Sequence, residues 1–214
     1  MLVKTKRIIA SLTAAVLSST FFLAAPAAQA NEDAAPLGNN ALTNVLNVSE
    51  FSFDSNKADF DILTSLVLDV LGAKPNSAVG ALADGNVALT AFIPTDAAFQ
   101  KLVTALTGKK LARERKIYKA VRALGMDTVE KVLLYHVVVG APILSEAAVA
   151  ANGADLTTAE GSTIRVVFNG TTLKLRDKDT KRANPNVILA SVDINAGNNQ
   201  VAHPIDGVLL PKLG

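Results

Sequence analysis

At His136 the hydrophobic pattern of this 214-residue chain changes period, and the change leaves few architectures open. Upstream, apolar residues recur at helical spacing. Phe60, Ile62, Leu63, Leu66, Val67, Val70 and Leu71 share one face, with Gly72 following as a residue suited to a helix end. Ala98, Phe99, Leu102, Val103 and Leu106 form a second stripe, closed by Gly108. Downstream, apolar residues fall in short runs between turn residues, at 137–139, 163–168, 171–176, 186–193 and 201–210. Asn169-Gly170 between two of these runs is a strong hairpin signal. Helices followed by strands, rather than alternating with them, predict an α+β domain and not a doubly wound sheet.

One strand is expected before the switch, at 87–93, where an apolar run is bounded by turn residues. Pro94-Thr95-Asp96 then opens the helix that carries Phe99. The Thr95 hydroxyl suits the N-cap, and Asp96 sets negative charge against the positive end of the helix dipole. Asn76 is expected to cap a short helix ending near Leu82, and the basic stretch 109–119 to form a solvated helix. Asp127 and Glu130 have capping-box spacing for a helix running to about Tyr135.

The first 30 residues read as an address. Lys4, Lys6 and Arg7 precede an uncharged apolar stretch, and Ala28-Gln29-Ala30 has the small-x-small spacing of a signal-peptidase site. The expected organisation is a secretory signal at 1–30, a leader at 31–57 and one domain at 58–214. Cleavage near Ala30 would leave no stable membrane insertion. The whole chain carries 21 basic and 19 acidic residues, and without the three cations of the signal the balance is 18 to 19, a net charge of −1. Such a chain lacks the dense basic footprint that nucleic acid requires. It has no cysteine, so no disulfide supports the fold.

Three segments stand out together. Thr90-Ala91-Phe92-Ile93-Pro94-Thr95-Asp96-Ala97-Ala98-Phe99 resembles the first box of the fasciclin domain family, and Leu133-Leu134-Tyr135-His136-Val137-Val138 its central Tyr-His motif. Val201-Ala202-His203-Pro204-Ile205-Asp206-Gly207-Val208-Leu209-Leu210-Pro211 resembles its second box. The resemblance spans about residues 58–211 in the family's order. It implies a wedge-shaped β-sandwich flanked by helices, in a secreted or surface protein used for adhesion or ligand binding. Departures occur at Ile93, where the family has a small residue, and at Val139, where it has a proline. Pro204 cannot donate a ladder hydrogen bond, so its strand is expected at an edge or a bulge.

Catalytic chemistry finds little to work with. The chain has two histidines, no Gly-x-Ser-x-Gly elbow, no phosphate-cradling glycine loop and no His-Glu-x-x-His. Asp177-Lys178-Asp179 begins like a calcium loop, but Lys181 and Arg182 stand where the next ligand and glycine belong. The expectation is a non-enzymatic, monomeric module with no metal and no cofactor, whose partner is an extracellular protein or a surface glycan. The alternative is a carrier of an apolar small molecule. The family resemblance makes Tyr135 and His136 candidate binding residues; the residues themselves favour packing and hydrogen bonding at a helix–strand junction. Pro94, Thr95, Asp96, Phe99, His203, Asp206 and Gly207 are read as structural. Asn47 and Asn169 begin glycosylation sequons.

Overall fold

The computed structural model describes residues 36–46 and 52–212; the expected signal, its cleavage site and Asn47 lie outside the described residues. In chain order the elements are α1 (Leu42–Leu46), α2 (Asp61–Ala73), β1 (Leu89–Pro94), α3 (Asp96–Thr107), α4 (Glu114–Arg122), α5 (Met126–Tyr135), β2 (Val137–Val139), α6 (Ser145–Ala150), β3 (Asp155–Thr157), β4 (Thr163–Phe168), β5 (Leu173–Arg176) and β6 (Gln200–Ile205). No helix among the described residues is long and apolar enough to cross a membrane.

β1 is the centre of a three-stranded sheet, antiparallel to β2 and parallel to β6. Strand side chains alternate between faces, and β1 is apolar on both. Leu89, Ala91 and Ile93 enter a core built with α2, α3, α4 and α5. Phe92 points the other way, into a smaller core with Tyr135, Ile164, Val166, Leu173, Leu175 and Ile205. That core lies against the second sheet, β3-β4-β5, which is antiparallel throughout. The architecture is the α+β arrangement expected from the sequence, with helices over one face of β1 and a sheet against the other.

β6 is an edge strand, as Pro204 requires. Its open side is closed by the stretch expected to be a strand at 186–193, and here the structure differs. Val187 bridges Ile205, Asn186 bridges Lys174 on β5, and residues Leu189–Ser191 coil into a 3-10 turn. The segment donates to two different edges, Val187 N to Leu173 O at 2.8 Å and Ile188 N to Pro204 O at 2.8 Å. It stitches the two sheets together, which a regular strand in one ladder would not do.

Smaller corrections share one cause, tertiary partners competing with local signals. α2 runs past Gly72 to Ala73, because Lys74 N reaches Val70 O at 2.7 Å. Ser77, not Asn76, caps the following 3-10 turn, Ala78–Ala83. α5 starts at Met126 behind Gly125 with no side-chain cap, since Asp127 and Glu130 both turn to Lys74. Only the second half of the basic stretch is helical, and α4 buries Ile117 and Val121. In the β4–β5 turn, Asn169 Oδ1 accepts from Thr171 N and Thr172 N, so β5 begins only at Leu173. Gly170 takes a φ of +93°, where a side chain would be strained. Leu42 of α1, in the stretch read as a leader, is fully buried and donates its N–H to Gln200 Oε1 at 2.8 Å.

Candidate functional site

The Tyr135–His136 pair sits where α5 passes into β2. Tyr135 is fully buried and its hydroxyl donates to Thr163 O at 3.0 Å, tying α5 to the second sheet. Burial, reinforced by the charge of Asp177, pushes the phenol's pKa well up. His136 is 4% exposed. Its Nδ1–H donates to Val132 O at 2.7 Å, one of the carbonyls a helix end leaves unpaired, and Nε2 accepts Leu209 N–H at 2.9 Å. Burial lowers its pKa from 6.5 to about 4, so the ring is neutral near pH 7.

His203 on β6 is equally enclosed, with Nε2 donating to Ile143 O at 2.7 Å and Nδ1 accepting Asp193 N–H at 3.4 Å. Asp193 Oδ1 lies 3.8 Å from the same nitrogen, but burial lowers the imidazole pKa and the amide already occupies the lone pair. Each histidine therefore saturates its ring on separate backbone groups, and the two share no ligand site. Asp206 Oδ1 accepts Asn186 N–H at 2.8 Å, while its carbonyl takes Lys101 Nζ at 2.8 Å. A Cβ at Gly207 would lie 3.2 Å from Pro185 Cγ.

The first box builds a reciprocal junction. Thr95 Oγ1 accepts Ala98 N–H at 3.4 Å and caps α3. Asp96 does more than face the dipole: it is 1% exposed, and its Oδ1 accepts Ile62 N–H at 3.1 Å, capping α2. The loop before α2 answers by accepting Asp96 N–H on Asp59 O at 3.0 Å and Ala97 N–H on Lys57 O at 2.9 Å. Around this junction the sequence reading missed a gathering of carboxyls: Asp54, Asp59, Asp61 and Glu114. Burial, against the pull of the Ile62 N–H, pushes the Asp96 pKa up to about 8, helped by the charge of Asp59. Burial also raises Asp59, Asp61 and Glu114. Asp59 and Asp96 meet as a carboxyl pair. Neither anion can donate, so Asp59 Oδ1 and Asp96 Oδ2 go unpaired unless one proton is shared. The acid-rich run from Asp54 to Asp61 was the signal available in the sequence.

The sequence also gave no sign of a concave surface. A cavity of about 550 Å³ opens between α3, α4 and α5. Its lining is mainly apolar and includes Phe99, Leu102, Leu106, Val121, Leu124 and Val132. Leu106 and Leu124 are 46% and 44% exposed. Pro94 and His136 contribute as well, with the charged residues Asp127, Lys131 and Arg182, which pair with Lys74, Glu160 and Asp179.

The fasciclin domain model matches residues 68–211. The chain belongs to the fasciclin domain family. Among solved structures, the fasciclin domain described here is similar to a pair of FAS1 domains from the insect cell adhesion molecule fasciclin I, with a TM-score of 0.53 and 16% identity. The match covers 82% of this chain and 52% of that one, so the chain spans about half the length of the domain pair. At that identity the likeness is one of fold. No curated protein matches the chain in sequence.

Proposed function

We propose that this fasciclin domain is a non-catalytic extracellular adhesion module whose partner, a protein or a surface glycan, is held at the apolar groove between α3, α4 and α5. The observation that carries this reading is the composition of the groove. It is apolar, and its one imidazole, His136, already has both nitrogens engaged by Val132 and Leu209. A base needs a free nitrogen within reach of substrate, and none is offered here. An apolar concavity with half-exposed leucines suits an apolar side chain of a partner. Tyr135 and His136 then serve the site from behind, by fixing α5 on which one wall stands.

Leu106→Glu and Leu124→Glu test the groove, because both side chains are half-exposed and the fold does not depend on them. Attachment of matrix or cells to the immobilised double variant should fall roughly tenfold, a change worth about 1.4 kcal/mol of binding, while its melting midpoint stays that of wild type. Full attachment by a stable variant would move the site elsewhere.

A second reading, a carrier of an apolar pigment or lipid-like molecule, draws on the same groove, whose volume of about 550 Å³ fits a ligand of that size. Absorbance of the purified protein and mass spectrometry of its organic extract separate the two. A stoichiometric apolar molecule supports the carrier; an empty extract supports the adhesion module.

A further inference from the structure

Outside the groove, carboxyls from two distant stretches of chain converge at the N-terminus of α4. Asp54 and Asp59 lie on the loop before α2, and Glu114 is the first residue of α4. One oxygen from each lies within 4.8 Å of the other two. Asp54 N–H donates to Glu114 Oε2 at 2.7 Å and so turns that carboxylate toward the loop. Glu114 is 1% exposed, yet its Oε1 accepts no hydrogen bond. A buried carboxylate oxygen without a donor is unfavourable, so this one calls for a partner.

No cation among the described residues supplies one. Among the described residues, no ion pair joins Lys or Arg to Asp54, Asp59 or Glu114. Lys57, on the same loop, reaches Gln100 Oε1 at 3.2 Å, and the Arg115 guanidinium lies over the Phe53 ring at 5.6 Å. Asp61 and Asp96 add further negative charge from the neighbouring helix starts.

We propose that Asp54, Asp59 and Glu114 form a binding site for a divalent cation, calcium. All three ligands are oxygens, which hard cations select. Calcium–oxygen bonds of about 2.3–2.6 Å place ligands on opposite sides of the ion roughly 4.6–5.2 Å apart, the scale of this cluster. Calcium also accepts an irregular shell of 6–8 oxygens, which suits a site whose Glu114 side is closed and whose Asp54 side is open to water. Sequence motifs of the EF-hand type did not reveal the site, because its ligands are split between residues 60 positions apart.

Calorimetric titration of the purified full chain with calcium chloride at about pH 7.5 should give a Kd on the order of 10⁻⁴–10⁻³ M. At about 10 mM calcium the melting midpoint should rise by roughly 3–5 °C over that in chelator. Asp54→Asn alters an exposed residue, so it should melt like wild type in chelator while binding calcium at least about tenfold more weakly. Glu114→Gln keeps the acceptor for Asp54 N–H and should lose most of the calcium-dependent rise. A titration without heat and a midpoint unmoved by calcium overturn the proposal. So does calcium binding of wild-type strength in both variants.

Discussion

Every ring nitrogen of His136 and His203 has a backbone partner, whereas three carboxyl oxygens at the starts of α2, α3 and α4 have no donor. Both regions are buried and both hold titratable groups. In the imidazole region, burial keeps the rings neutral, and a neutral ring with one donor and one acceptor can be satisfied by one carbonyl and one amide. The acidic region gathers groups that only accept, so it can be completed only by a proton or a cation from outside. Both sets of polar groups join elements, but only the imidazoles do so with every polar atom paired.

The comparison breaks most readily at His136. His136→Ala would orphan Val132 O and Leu209 N–H and open a void, and should cost roughly 3–5 kcal/mol in denaturant titrations. A variant as stable as wild type that no longer attaches to matrix would instead put this residue on the binding surface. The same ring predicts an acid limb. Its folded pKa of about 4 lies below the unfolded 6.5, so the unfolded state binds the extra proton. Stability from this group is fully present above pH 6.5 and is lost as pH falls toward 4, by about 3 kcal/mol.

The acidic region should show the opposite slope. The Asp96 pKa is raised to about 8 in the folded state, so the folded state holds the proton. Its contribution is present below about pH 4 and is lost as pH rises through about 8, on the order of 2 kcal/mol in chelator after allowance for the Asp59 pair. Asp96→Asn keeps an acceptor for Ile62 N–H and should flatten that decline. An unchanged slope in the Asn variant would mean that another group carries it. The smallest effect is expected at Thr95, whose capping bond is long at 3.4 Å. Thr95→Ala should cost about 1 kcal/mol or somewhat less.

What was legible in the sequence follows the range of the forces involved. The Thr95 cap, the Asn169-Gly170 turn, the helical stripe around Phe99 and the edge position of Pro204 depend on neighbours a few residues away, and the structure has them all. The Asp127 capping box failed because Lys74, 53 residues distant, binds both of its acids. The expected strand at 186–193 has strand-like residues, but its hydrogen bonds go alternately to two sheets. The groove was invisible for the same reason, and of the carboxyl cluster only the acid-rich run from Asp54 to Asp61 showed, not its meeting with Glu114. Each is assembled from segments far apart in the chain, whose packing no local periodicity specifies.

The parallel pairing of β1 with β6 also dictates an order of events in time. Leu89 lies opposite Gln200 and Pro94 opposite Ile205, so the middle strand of the first sheet waits for a neighbour more than a hundred positions later in synthesis. Gln200 sharpens the dependence, since its side chain accepts Leu42 N–H and donates to Ala81 O and Asp84 O, clasping early segments with a late one. A nascent chain that has not yet reached Gln200 can form helices, but it cannot close either layer around β1. Folding should therefore be governed by loop closure and run in milliseconds to seconds rather than microseconds. The sheet around β1 stays open until β6 has been made.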